Sequence, residues 1–304
     1  YRKNYTKRTS GGKANQYVHL EFEYLRELAR IDTEVRHVLL AMTLDIEHFL
    51  KVVLIKAVED RKGIDGEDGY KIVTDFLNDV GNEKFANHNA VIQNRQNAFN
   101  RKINQNRNNP YCGGLITRYS QEIPIWAFVE LISFGDLKDL VSYYSFKTGW
   151  VSPVDFKSLD RVRQLRNACA HGNGIINDLR PNDQPDNKSV APPFITQYVY
   201  KTGIKKKTAH QKLSNERISQ IVHLLYVYDK VVISDHTRTL RITQLKNLVY
   251  NRCKSNASYF TSNLLLTSTY QFFEKLLKSI KYVGLSNILD NELNGRKPME
   301  GSHR

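Results

Sequence analysis

The chain has 304 residues, 40% apolar and 25% charged, an ordinary composition for a soluble globular protein of one large domain or two modest ones. It has no run of about 18 apolar residues to span a membrane. Its three scattered cysteines, Cys112, Cys169 and Cys253, argue against a disulfide framework or a zinc cluster and for a reducing, cytoplasmic setting. Lys and Arg number 45 against 31 Asp and Glu, a net charge of +14. Such an excess favours polyanions, above all nucleic acid, through phosphate contacts and counterion release; the plain alternative is a basic surface with no specific partner.

Residues 1–19 read as a basic tail that a binding partner would order. From about Glu21 the apolar period is helical, and Asp32 is placed to cap a long helix over roughly 33–59. Val35, Val38, Leu39, Met42, Ile46, Phe49, Leu50 and Val53 share one face of it, and Leu40, Leu44, Val52 and Ile55 form a second apolar strip, the pattern of a helix central to a bundle. Gly63, Gly66 and Gly69 mark a loop. Short helices follow at about 70–79 and 89–104, the second with an exposed Asn/Gln/Arg face that Pro110 and Gly113-Gly114 close. Pro124 opens the next helix, Gly135 breaks it, and Asp136 caps another to about Phe146. Ser152, Pro153 and Asp155 introduce a helix from about Val154 to His171, ended by Gly172. Beyond a Pro- and Asn-rich loop at 177–193, Phe194 to Tyr200 reads as extended and Lys205-Lys206-Lys207 as a basic patch. Helices are expected at about 214–233, 238–253 and 263–283. Strand signals are few, so the class is all-α. The organisation read from this is a tail at 1–19, a helical domain at 20–235, a C-terminal helical extension on the same core at 236–295, and a tail at 296–304.

The chemistry concentrates in Arg161-Val-Arg163-Gln-Leu-Arg166-Asn167-Ala-Cys-Ala-His171. At about 100° per residue, Arg163, Asn167 and His171 stack along one face with Arg166 beside them, over an apolar back of Val162, Leu165 and Cys169. The end of a helix favours a cation. A histidine beside a permanent guanidinium suits phosphodiester chemistry: imidazole moves a proton and arginine stabilises charge building on phosphate. Taken alone, the same residues also read as a helix cap and a solvated charge.

The segment Arg166-Asn-Ala-Cys-Ala-His171 resembles the motif of HEPN ribonucleases: Arg, a polar residue, a short spacer and His. The wider chain resembles the Abi-like group of bacterial abortive-infection proteins through Ala29–Thr33, Leu44–His48, Pro124–Phe128, Phe134-Gly-Asp136 and Arg163–Asn173, across roughly residues 20–235. The resemblance implies a HEPN-type helical bundle with additional helices. It implies a homodimer whose two motifs form one composite site, and metal-independent RNA cleavage by the ribose 2′-OH to a 2′,3′-cyclic phosphate. It also implies an anti-phage toxin role, in some relatives under a small antitoxin RNA. On it, His171 is the general acid or base, Arg166 stabilises the transition state, and Asn167 orients the pair. Arg161 and Arg163 bind substrate. Glu47 supports the motif arginine or serves only a structural salt bridge, and Lys205, Lys206 and Lys207 touch RNA or lie in a solvated loop. No cofactor or metal is called for, because no histidines and carboxylates stand at ligand spacing. DNA is a poor substrate for a 2′-OH mechanism. The competing readings are an RNA-binding regulator that uses the same face without cutting, and a scaffold for an acidic protein.

Overall fold

The computed structural model describes residues 1–78, 88–119, 121–182 and 191–280. Among them are twelve α-helices, a few 3-10 turns and one isolated antiparallel bridge, Lys7 to Tyr17, so the chain is all-α. It forms two compact units, Tyr1–Asp45 with Gln164–Arg304, and Ile46–Arg163. Two helices, α1 (Phe22–Glu59) and α7 (Phe156–Ala170), contribute residues to both units. No helix among the described residues is long and apolar enough to cross a membrane.

The start of α1 departs from the sequence reading. The helix begins at Phe22, and Asp32 lies inside it, fully buried, not at its cap. Leu28 and Ile31 keep the helical period intact upstream of Asp32 and bury, so nothing there stops the helix. The centre of the first apolar strip is core: Leu39, Met42, Ile46 and Leu50 are buried, while Val35, Val38, Phe49 and Val53 flank them half-buried. The second is not, for Leu44 and Val52 stay 48% and 38% exposed. Among the described residues, the helix therefore has an apolar strip that is only partly covered.

The unit Ile46–Arg163 adds α2 (Lys71–Asn78), α3 (His88–Asn106), α4 (Gly113–Arg118), α5 (Ile125–Leu131) and α6 (Phe134–Thr148). Its core is aromatic: Phe76 meets Phe128 and Tyr143 edge-on, and the Tyr144 hydroxyl donates to the Ala57 carbonyl at 2.7 Å. Ser133, not Asp136, caps α6. Its hydroxyl accepts from the Asp136 amide while the Asp136 carboxylate accepts from the Ser133 amide, a reciprocal capping box. Gly135 is thereby absorbed into the first turn of the helix it was expected to precede.

The other unit contains α8 (Pro193–Tyr200), α9 (Lys206–Leu213), α10 (Glu216–Val231), α11 (Asp235–Tyr250) and α12 (Leu264–Lys278). The extended reading of Phe194 to Tyr200 is overturned, since this run is helix α8 with Pro193 in its first turn. Ile195, Thr196 and Val199 recur at helical spacing and bury, which outweighs the β-propensity of an aromatic and β-branched run. Asn215, Ser234 and Asn263 cap the last three helices, each accepting from an amide three residues on. Asp45 anchors α10 and α11 by accepting from the Tyr228 hydroxyl and the Arg241 guanidinium.

Residues 1–19 are folded onto this unit, not held out as a tail. Asn4 is buried and its amide group donates to the Ile176 carbonyl and accepts from the Leu179 amide, both at 2.8 Å. The expected tail at 296–304 lies outside the described residues.

Candidate active site

Helix α7 carries the motif, and both of its ends are written locally. The Asp155 carboxylate accepts from the Ser158 amide at 2.9 Å and starts it. Gly172, at φ +70°, stops it. The Gly172 amide donates to the Cys169 carbonyl and the Asn173 amide to that of Ala168, the bond pair of a Schellman motif. His171 sits on this last turn with its side chain exposed, and its own amide donates to the Asn167 carbonyl at 2.9 Å. Backbone amides thus take the Asn167, Ala168 and Cys169 carbonyls, which the sequence alone leaves open for a cation.

Val162, Leu165 and Cys169 form the buried back of the helix, as their spacing predicts. Burial pushes the Cys169 thiol up to about 12, so the cysteine inside the motif is a core residue and no poised nucleophile. On the open side Arg166 and Asn167 are half-buried, and the Arg166 Nη1 donates to the Asn167 Oδ1 at 3.3 Å. From α10, Gln220 donates to the Gln164 side chain at 3.0 Å and fixes the azimuth of this stretch.

The loop after His171 is held by side chains that the sequence reading did not assign to the site. The Asp32 Oδ1 accepts from the amides of both Ile175 and Ile176 at 2.7 Å. Its Oδ2 faces the Arg36 Nε at 3.3 Å, an ion pair without hydrogen-bond alignment. Arg36 also donates to the Gly172 carbonyl and to the Thr33 hydroxyl. Further along, Asn215 donates to the carbonyls of Asp178 and Arg180. Side chains of Asn4, α1 and α10 thus take up much of the polar backbone from Ile175 to Arg180 and the Gly172 carbonyl.

The other predicted residues are placed as follows. Arg163, in the Ile46–Arg163 unit, grips Asp160 through Nε and Nη2 at 3.0 and 2.9 Å, with Lys138 3.5 Å away. Burial pushes the Asp160 carboxyl up, but its bonds to these cations outweigh that and hold it below the usual carboxylate range. Arg163 is therefore committed to a local ion pair. Arg161 and Glu47 are half-buried in the same unit. Lys205, Lys206 and Lys207 are exposed at the start of α9, where the helix dipole adds to their positive potential. The signal that would have found Asp32 and Arg36 was their i,i+4 spacing, which presents a carboxylate and a guanidinium together.

A family model described as Abi-like protein matches residues 1–177, which include α1 and the whole of α7. The match covers more than half of the chain, and the chain belongs to that family. No curated protein and no solved structure gave a match.

Proposed function

We propose that this Abi-like protein is a metal-independent endoribonuclease of the HEPN kind, acting in abortive infection as a growth-stopping toxin. One observation carries the reading: an exposed histidine on the last turn of α7, one turn beyond an asparagine that the Arg166 guanidinium already touches. In the reaction the ribose 2′-oxygen attacks phosphorus, the P–O5′ bond breaks, and a 2′,3′-cyclic phosphate and a 5′-hydroxyl result. His171 moves the proton of the attacking or of the leaving oxygen, Arg166 stabilises the charge on the phosphorane, and Asn167 holds the guanidinium in line.

Two proton transfers are needed, and a second copy of the chain supplies the second histidine. The exposed apolar strip of α1, with Leu44 and Val52, supports such an association. The three lysines at the start of α9 serve as phosphate contacts. The net charge of +14 also suits control by a small antitoxin RNA.

The test is cleavage of RNA by purified protein in EDTA after stripping any co-purified nucleic acid, with His171→Ala and Arg166→Ala alongside and their folding checked by circular dichroism. Wild type should cut, each variant should lose about 10²–10⁴-fold in rate, and a substrate with 2′-deoxyribose at the scissile position should resist. Binding without cleavage by stripped wild type, or equal cleavage of DNA, would reject the mechanism.

A further inference from the structure

Between α1, α10, α11 and α12 lies an apolar cavity of about 200 Å³. Leu28 and Leu225 are among its buried walls, and it opens past Lys254, Ala257 and Tyr270. We propose that it is a binding site for a small uncharged apolar molecule, of the class of a single aromatic ring with a short apolar substituent. Filling it would steady the loop that follows His171.

Size and chemistry both point to that class. An apolar cavity of roughly 150 Å³ in another protein stays dry and takes up benzene, so one of this volume has room for a slightly larger ring. Water is a poor occupant because it needs two to four polar partners, and the polar groups in the lining are already engaged. Thr269 bonds Lys212 and the Leu265 carbonyl, and Lys254 and Tyr270 both reach the Glu274 carboxylate. A charged occupant would have to leave its hydration shell for a wall with almost nothing to replace it. An empty void of this size lowers stability, whereas an occupant restores the missing contacts.

Position gives the consequence. Ile31 and Val35 line the cavity from α1 and bracket Asp32 in sequence, and Ile176, whose amide Asp32 holds, lines it as well. An occupant therefore bears on the clamp behind the loop that leaves His171. The binding claim stands independently of RNA cleavage.

The full chain should be titrated with toluene and with ethylbenzene, reading melting temperature and amide exchange. Wild type should gain a few degrees in Tm at saturation, and exchange at Ile175 and Ile176 should slow. Leu225→Phe fills the cavity from its wall and Ala257→Phe from its mouth, so one of them remains informative if the other folds poorly. Each should cancel the gain on adding the probe while keeping wild-type circular dichroism. No gain in wild type with either probe, or a full gain in both filled variants, would overturn the site. Binding with unchanged exchange at Ile175 and Ile176 would overturn the coupling.

Discussion

Asp32 illustrates how much one buried carboxylate can decide. It is fully buried, accepts from two amides of the loop behind the motif helix, and has Arg36 as its counter-charge. Charge-assisted bonds to backbone amides are among the stronger ones, and removing the acceptor leaves both amides and a half-buried guanidinium without it. Asp32→Ala should therefore cost about 3–5 kcal/mol, the range for breaking a buried charged pair from one side. Asp32→Asn should cost less, because its carbonyl oxygen still accepts. The distinguishing readout is local: amide exchange at Ile175 and Ile176 should accelerate in Asp32→Asn ahead of global unfolding. Unchanged exchange there would mean that the loop is held by something else. Sequence alone points this residue elsewhere, because an aspartate ahead of an apolar helical period has the local signature of a cap. The two amides it holds lie more than 140 residues away along the chain, and the local i,i+4 spacing that pairs it with Arg36 does not reveal them.

The elements that came through clearly from sequence are those whose ends are set by neighbours in the chain. Helix α7 is the main case: Asp155 starts it and Gly172 ends it, and the helix expected from about Val154 to His171 is found at Phe156–Ala170. That local legibility extends to the arrangement of Arg166, Asn167 and His171, which follows from helical spacing once the end is fixed. Where two local signals competed, burial decided one case and reciprocal hydrogen bonding the other. Helix α8 forms because Ile195 and Val199 bury on one side, and α6 is capped by Ser133 because Asp136 serves better as the reciprocal partner. The Schellman end of α7 gives a direct prediction. Gly172→Ala places a Cβ at φ +70° and 3.4 Å from the Arg36 Nη1, so it should cost about 1 kcal/mol or slightly more in urea unfolding. Gly172→Asn should cost less, since asparagine enters the left-handed region more readily. Equal stability of Gly172→Ala and wild type would show that the turn is not under the constraint its φ indicates.

At the scale of the whole molecule, the division into two units left no mark in composition, because the chain passes between them inside α1 and α7 and not through a linker. The pH dependence of stability is likewise a property of the assembled interior, and Lys212 gives it a testable feature. This lysine is 4% exposed and donates to the Ser268 and Thr269 hydroxyls at 2.9 and 2.7 Å, with no carboxylate in contact among the described residues. Burial without a counter-charge lowers its ammonium from 10.5 to about 8. Below pH 8 both the folded and the unfolded chain carry the proton, and the cost of burying the charge is present in full. Between about pH 8 and 10.5 the unfolded chain binds more protons than the folded one, so this group makes stability rise with pH, and above that window its penalty is gone. Lys212→Met should therefore be more stable than wild type at pH 7, by about 1–3 kcal/mol after allowing for the lost hydrogen bonds. The two hydroxyls keep the Leu265 carbonyl as a partner, so neither is orphaned. Other lysines and tyrosines titrate in the same alkaline range, so the quantity to follow is the difference between variant and wild type, measured by urea unfolding at pH 7, 8, 9 and 10. That difference should shrink as pH rises through the window. A variant less stable at pH 7, or a difference that does not change with pH, would mean that Lys212 is charged at no cost and that its two hydroxyl partners suffice to solvate it.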